Sequence, residues 1–361
     1  ENLGEDYLID FGLDSLSTIK HIYDSAGQSQ LSNLSSGIQK TYNNLPVPVW
    51  YGSNNWVLSG NRSKSGKVLL ANDTHIRYSQ PAVWYEAYLE YPGFSMAGYF
   101  LAGVPYAITG HNDRFAWGTT IFPFDNMDLY REKQNPDNPN QIWVNDHWEN
   151  YNTTIHNIPV KGGNDVEFIL RSTRHGPILN GIYNNIASND DPPISMWWAL
   201  NQMESVVLEG LYLINNASDM QEFEKAMEYI DLIGMNMIYG DNENNIALWA
   251  AGKIPIRPEH VNSKIILDGA SGNDEILGYY SFDKNPKIIN PEDGFITTSN
   301  DEHEKVNGVL YPGYYSAGLR ATRIKRLINS RDKWDIEGLS TIQLDNTSEK
   351  DTMLVALILA E

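Results

Sequence analysis

The pair Gly52-Ser53, in the stretch YGSNNWVLSG, sets a hydroxyl directly after a glycine at the head of a strand-like segment. A serine hydroxyl is inert at neutral pH until a base takes its proton. A serine at a chain terminus brings its own base. Its α-amino group, with a reference pKa of about 7.7–8.0, is partly neutral at working pH and can accept that proton directly or through one water. The amine exists only if the Gly52–Ser53 bond is broken, and a preceding glycine leaves the scissile carbonyl open and permits a strained backbone. Gly-Ser-Asn-Asn is also ordinary turn chemistry, so the segment alone leaves both readings open. The nucleophile-elbow pattern Gly-X-Ser-X-Gly occurs nowhere in the chain, which removes that hydrolase type. His21, His147, His156, His260 and His303 show no metal-ligand spacing such as His-Glu-X-X-His, and there is no phosphate loop or dinucleotide fingerprint.

The elements that must position these groups follow from the rest of the chain. Its 361 residues suffice for a large core, and 41% hydrophobic against 20% charged residues is an ordinary globular balance. Lys+Arg 26 against Asp+Glu 46 gives −20, a field that repels nucleic acid and anionic membrane. The absence of cysteine removes disulfides, thiolate metal sites and thiol nucleophiles together. No apolar run approaches the ~20 residues of a membrane span, and ENLGEDYLID does not read as a signal peptide. Asn-X-Ser/Thr sequons at Asn33, Asn61, Asn72, Asn152, Asn216 and Asn346 hint weakly at export.

Leu16, Ile19, Ile22 and Tyr23 fall at helical spacing, and residues 28–40 read as a solvated connector. Pro46 and Pro48 favour an extended approach to Gly52. From Asn54 the pattern turns to strands: NWVLSG, GKVLLAN, AVWYEAYLEY, SMAGYFLAG, YAITGHN and FAWGTTIF. IWVNDHWENY and MNMIYGDNENNIALWAAG predict hairpins. Helices are expected at Ser218–Ile230, with Asp219 and Glu222 as capping signals, at Arg320–Ile328 and at Ser348–Ala360. This order argues α+β with sheets in the middle, and no linker is visible after Ser53.

SNNWVLSG, ANDTHI, GHNDRFAWGTTIFPFDNMDLY, RHGPIL, GDNENNIALWAAGKIPIR, DGFITTSNDEH and GLRATRIKRLI occur in the order seen in penicillin acylases, and the chain resembles that family over most of residues 50–330. The resemblance implies an N-terminal-nucleophile hydrolase that cleaves amide bonds of N-acylated compounds, in a four-layer αββα sandwich that is incomplete in this chain. It implies that Ser53 is the nucleophile exposed by self-cleavage after Gly52. His75 takes the position beside it where related cephalosporin and acyl-homoserine-lactone acylases carry histidine. The oxyanion hole would use the backbone N–H of Ile121 and the side-chain amide of Asn300, two neutral donors suited to a tetrahedral oxygen. Arg320 matches an active-site arginine able to hold that Asn or a substrate carboxylate. Ile76, Thr109, Thr119 and Pro123 would line the acyl pocket, and their types favour an aliphatic acyl chain. Asp125, Met127 and Asp128 resemble a segment that contributes to a structural calcium site. His111-Asn112 and Arg174–Pro177 match scaffold features.

On this reading residues 1–52 are the end of an α chain and spacer, and 53–361 a catalytic β chain truncated within a helical pattern at Glu361. The partners would be a small N-acylated substrate and the protein's own α chain, and the location periplasmic or extracellular. A reading of another class remains: a non-catalytic, aromatic-rich β protein binding glycans or peptides outside the cell, motivated by the sequons, the acidic charge and the Tyr and Trp content.

Overall fold

The computed structural model describes residues 50–359 apart from 77, 183–185, 232, 307, 310, 350, 353–354 and 356–358. The helical spacing at Leu16–Tyr23 and the connector 28–40 lie outside the described residues, and the helix expected over 348–360 falls largely on undescribed ones. The chain divides into two compact units, each assembled from separated stretches. Discontinuous units are bounded by ordinary crossings instead of linkers, so composition does not announce them.

The unit that carries Ser53 is built from Val47–Asp125, Ser205–Ile254 and Tyr279–Glu361. Its first strand, β1 (Trp50–Leu58), lies between β2 (Leu69–Ile76) and the strand Phe295–Thr298, antiparallel to both. A second, seven-stranded sheet runs in the order Lys287–Ile289, Ile246–Ala251, Met235–Asp241, then backwards through the segment Trp84–Ile121. Those last strands are β3 (Trp84–Tyr91), β4 (Phe94–Leu101), β5 (Thr109–Asn112) and β6 (Phe115–Ile121), with β6 beside Met235–Asp241.

Side chains alternate across a strand, and each face finds a different partner. On β1, Trp56 and Leu58 pack with Ile324, Ile328, Leu339 and Ile342 of the helices Leu319–Ile328 and Ile336–Gln343. Val57, between them, joins Ile238, Leu248 and Ile296 in the seam of the two sheets. The far face of the large sheet, with Trp117, Met237, Tyr239 and Trp249, packs on Leu211, Ile214, Phe223 and Met227 of the helices Val207–Asn216 and Met220–Met227. The layers are therefore helices, sheet, sheet, helices: the expected α+β, αββα sandwich. Every expected strand from Asn54 to Phe122 has its counterpart, and so do both hairpins.

Capping decides the helix expected near Ser218. Asp219 accepts from the Glu222 amide at 2.8 Å, and the Glu222 carboxylate reaches back to Ser218. The helix Val207–Asn216 was not foreseen, because VLEGLYLINN shows no clean apolar stripe. Asn215 occupies its buried face and exchanges two hydrogen bonds with the Ala107 backbone, at 2.8 and 3.0 Å. The helix Ile336–Gln343 was also missed; its signal was Asp335, which caps the Gly338 amide at 2.9 Å.

In the other unit the strand Met127–Arg131 lies between Ile194–Trp198 and Leu267–Asp268, beside an antiparallel hairpin of Asn152–Ile158 and Val166–Thr173. His175 organises it. The ring is buried, stacked on Tyr130 with centroids 3.8 Å apart, and holds Glu132 through Nδ1 at 2.8 Å and Glu275 through Nε2 at 2.9 Å. Burial opposes the imidazolium, but the two carboxylates outweigh it and raise the His175 pKa above its ordinary value. A raised folded-state pKa gives stability that is complete below pH about 6.5 and is lost as pH climbs through the folded value. His175→Ala should cost roughly 3–5 kcal/mol at neutral pH, since it removes one partner of a buried ion pair and leaves Glu132 with the Thr173 and Ser195 hydroxyls. It should also flatten the fall in stability above pH about 6.5, which urea denaturation at several pH values would measure.

Candidate active site

β1 carries both Gly52 and Ser53, with Ser53 opposite Thr74 and Gly52 opposite His75, and its pairing with β2 shifts register between Trp50 and Gly52. Ser53, Asn55 and Val57 share the face toward the large sheet, and Ser53 is fully buried. At the end of β6 the Ile121 N–H donates to Ser53 Oγ at 3.3 Å. Asn300 Nδ2 donates to the same oxygen at 3.2 Å. Two neutral donors thus converge on one hydroxyl from positions far apart in the chain. Asn300 has φ +64, the left-handed region that asparagine tolerates, and sits just beyond the strand Phe295–Thr298. Its second Nδ2 hydrogen goes to the Ile121 carbonyl at 2.8 Å, and its Oδ1 accepts from the Ser53 amide at 2.9 Å.

Arg320, in the first turn of the helix Leu319–Ile328, spreads a half-buried guanidinium over this arrangement. It donates to the carbonyls of Ser53 and Ser299, both at 2.7 Å, to Asn300 Oδ1 at 2.9 Å, and to Asn54 Oδ1. A planar fork fits four acceptors so placed, where an ammonium would not. Burial pulls the Arg320 pKa down, while Asp301 and Asp73 work the other way.

His75 stands beside Gly52 instead of over the Ser53 hydroxyl. Its Nε2 lies 2.9 Å from Asp73 Oδ2, and Asn54 Nδ2 approaches the same carboxylate at 3.3 Å. The bond from His75 is the main cause holding Asp73 below its ordinary pKa, with Asn54 and Arg320 adding to it and burial opposing. Asn54 Nδ2 also lies 3.2 Å from His75 Nε2, so the amide, the imidazole and the Asp73 carboxylate form one cluster beside Gly52. A Cβ placed on Gly52 would come within 3.1 Å of Arg320 Nη2, 3.3 Å of His75 Nδ1 and 3.4 Å of Asn300 Oδ1. A side chain here would press on the Arg320 guanidinium and the His75 ring by a few tenths of an ångström and just touch Asn300, so glycine suits the close approach of the first two.

The other expected residues are placed as follows. Ile76 ends β2, half-buried, opposite Trp50. Thr109 on β5 gives its hydroxyl to the Trp117 carbonyl at 2.8 Å. Thr119 is fully buried on β6, its backbone gripped by the Asn72 amide at 2.9 and 3.2 Å. Pro123 follows β6, and its carbonyl accepts from Tyr314 at 2.9 Å. Of the expected calcium segment, Met127 opens a strand and Asp128 is buried against the Arg257 guanidinium at 3.0 and 3.3 Å. Asp125 is buried, with its amide on the Pro312 carbonyl. Among the described residues no group of three or more His, Asp or Glu is arranged to hold a metal ion.

Several residues around the site were not singled out in the sequence. Asn54, Asn72, Asp73, Thr120, Asn236 and Thr298 read there as turn or strand residues. The available signal was polar types interrupting apolar strands: Asn236 inside MNMIYGD, and Thr120 inside FAWGTTI.

The penicillin amidase family model matches residues 9–361. An acyl-homoserine lactone acylase of Pseudomonas aeruginosa is 29% identical over 82% of this chain and 36% of its own length. Penicillin G acylase of Escherichia coli is 24% identical over 79% of this chain and 34% of its own. Among solved structures, a thermostable penicillin G acylase from Alcaligenes faecalis superposes with a TM-score of 0.69 and 25% identity, over 80% of this chain and 51% of that one. The chain therefore spans about a third of the length of these curated relatives.

Proposed function

This chain belongs to the penicillin amidase family, and from that premise we propose that it is an amidohydrolase working through a self-exposed N-terminal serine. In the uncut chain the Ser53 nitrogen is an amide and has no basic lone pair. The hydroxyl attacks the Gly52 carbonyl beside it, the acyl group passes from nitrogen to oxygen, and water hydrolyses the resulting ester. Gly52 is left as a carboxylate and Ser53 with a free amine. In turnover that amine takes the hydroxyl proton as Oγ adds to the substrate carbonyl, then gives it to the departing amine. Water, deprotonated by the same amine, releases the acid.

The observation that carries this reading is the convergence of the Ile121 N–H and Asn300 Nδ2 on Ser53 Oγ, at 3.3 and 3.2 Å. A carbonyl oxygen joined to Oγ through one carbon falls within reach of the same pair, which would hold the charge of the tetrahedral state. Arg320 fixes Asn300 from behind, and His75 with Asp73 faces the bond to be cut. We assign the acyl group to Ile76, Thr109, Thr119 and Pro123, an apolar and hydroxyl set suited to an aliphatic chain. The substrates would be N-acylated small molecules such as β-lactam side-chain amides or acyl-homoserine lactones. An α chain as partner and a periplasmic or extracellular location follow from the same reading. Among the described residues no helix is long and apolar enough to cross a membrane.

The test is intact mass together with the N-terminal residue of the large fragment, followed by hydrolysis of N-acyl amides of graded chain length. A break after Gly52 with Ser53 as the new terminus, and release of the acid, are expected. A chain that stays whole and hydrolyses none of them would leave the glycan- or peptide-binding reading, which the exposed Tyr85, Tyr88, Tyr91 and Tyr99 would then have to explain.

A further inference from the structure

Asn236 is a fully buried amide in the middle of the seven-stranded sheet, opposite Thr120, in a strand whose neighbours are Met, Ile and Tyr. An amide placed there is costly unless every polar atom is paired. Its Nδ2 faces Thr120 Oγ1 at 3.2 Å, the Ile121 carbonyl at 3.3 Å and Thr298 Oγ1 at 3.3 Å. Its Oδ1 accepts from His303 Nε2 at 2.6 Å. Thr120 and Thr298 are themselves bonded at 2.6 Å, which ties β6 to the strand that leads into Asn300. The Ile121 carbonyl also takes the Asn300 amide at 2.8 Å, from the NH₂ group that reaches Ser53 Oγ. Asn236 therefore touches the anchors of both donors without touching Ser53.

Resting on the reading above, we infer that Asn236 and His303 are positioning residues that hold the Ile121 peptide and the Asn300 amide in the one arrangement that aims both donors at a single oxygen. The physical reason is the two-fold ambiguity of an amide. Rotated by half a turn, Asn236 would point Oδ1 at the Ile121 carbonyl, oxygen against oxygen, and push that residue away. The Ile121 carbonyl only accepts, so it takes Nδ2 and turns Oδ1 to His303, and the neutral ring meets that oxygen as the Nε2–H tautomer and locks the arrangement. Burial holds the His303 pKa down to about 4, so the ring is neutral at working pH. Phe122, the residue after Ile121, packs edge-on against it with centroids 5.4 Å apart. The imidazole is thus braced by the segment it organises.

The experiment compares Asn236→Leu, His303→Leu and His303→Gln, the last retaining a side-chain N–H. Asn236→Leu and His303→Leu should each lower kcat for amide hydrolysis roughly 10- to 100-fold, as an ångström of misplacement does, with KM within about two-fold. His303→Gln should recover most of the loss, and the double leucine variant should fall no further than the worse single one. Losses that track only the fraction of folded protein would assign a merely structural role and overturn the inference. Crystal structures of the variants read the same point without any turnover. The Asn300 amide is expected to leave the Ile121 carbonyl and Ser53 Oγ in His303→Leu. If both donors stay on Ser53 Oγ there, the inference is wrong whatever the protein hydrolyses. If the wild-type protein neither splits nor hydrolyses, it is the proposed function that fails.

Discussion

Ser53→Ala should leave one unbroken polypeptide and reduce amide hydrolysis on the order of 10⁶-fold, the loss seen when a nucleophile is removed from a hydrolase whose other parts remain. Both consequences come from one atom. On the proposed mechanism the same hydroxyl cuts the chain and takes the acyl group, so no alanine variant can lose one role alone. The fold should survive, because Ser53 Oγ accepts two long hydrogen bonds and supports no packing that a methyl group cannot. Intact mass reads the first consequence and hydrolysis of an acyl amide the second. A Ser53→Ala protein that still splits after Gly52 would show that cleavage belongs to another agent, and the self-exposed amine would lose its basis.

The second large effect is expected at Asn300. Removing one oxyanion donor typically costs 10²–10³ in kcat with little change in substrate binding. Alanine is the wrong variant to use alone, because Asn300 has φ +64, where a Cβ residue other than Asn or Asp is strained by roughly 1–2 kcal/mol. Asn300→Gly removes the amide without that strain. The two variants should therefore share the kinetic defect while only alanine lowers stability further, which a denaturation curve beside the rates would separate. Equal kcat in Asn300→Gly and wild type would place the oxyanion elsewhere. Asn300→Asp is informative in another way. It sets a carboxylate where the proposed mechanism develops negative charge, and Arg320 at 2.9 Å would hold that carboxylate ionised.

The Asp73–His75 pair shows how one register decides a role. The sequence offers ANDTHI as a run beside the nucleophile, and His75 as its basic group. Pairing Gly52 with His75 sends that ring to the Gly52 side of the strand, away from the face that carries the serine hydroxyl. A one-residue slip would reverse this, because side chains alternate. Likewise Asp128 is expected from the sequence as part of a calcium segment, and only folding brings Arg257 onto it.

What the sequence determined by itself is local and periodic. Alternation placed the strands from Asn54 to Phe122 and both hairpins, because a half-buried strand must repeat every second residue. Asp219 and Glu222 marked a helix start, because the unpaired amides of a first turn need acceptors close by in the chain. Gly52 beside Ser53 was legible as a candidate cleavage pair on the same local grounds. Asn300 and Ile121 were found only through resemblance; by themselves they are one asparagine and one strand isoleucine among many. Tertiary structure alone decided that they meet. A hydroxyl and its donors separated by 68 and 247 positions share no periodicity. Their convergence is fixed by two sheets packed face to face, one carrying Ser53 on β1 and the other the Ile121 N–H at the end of β6.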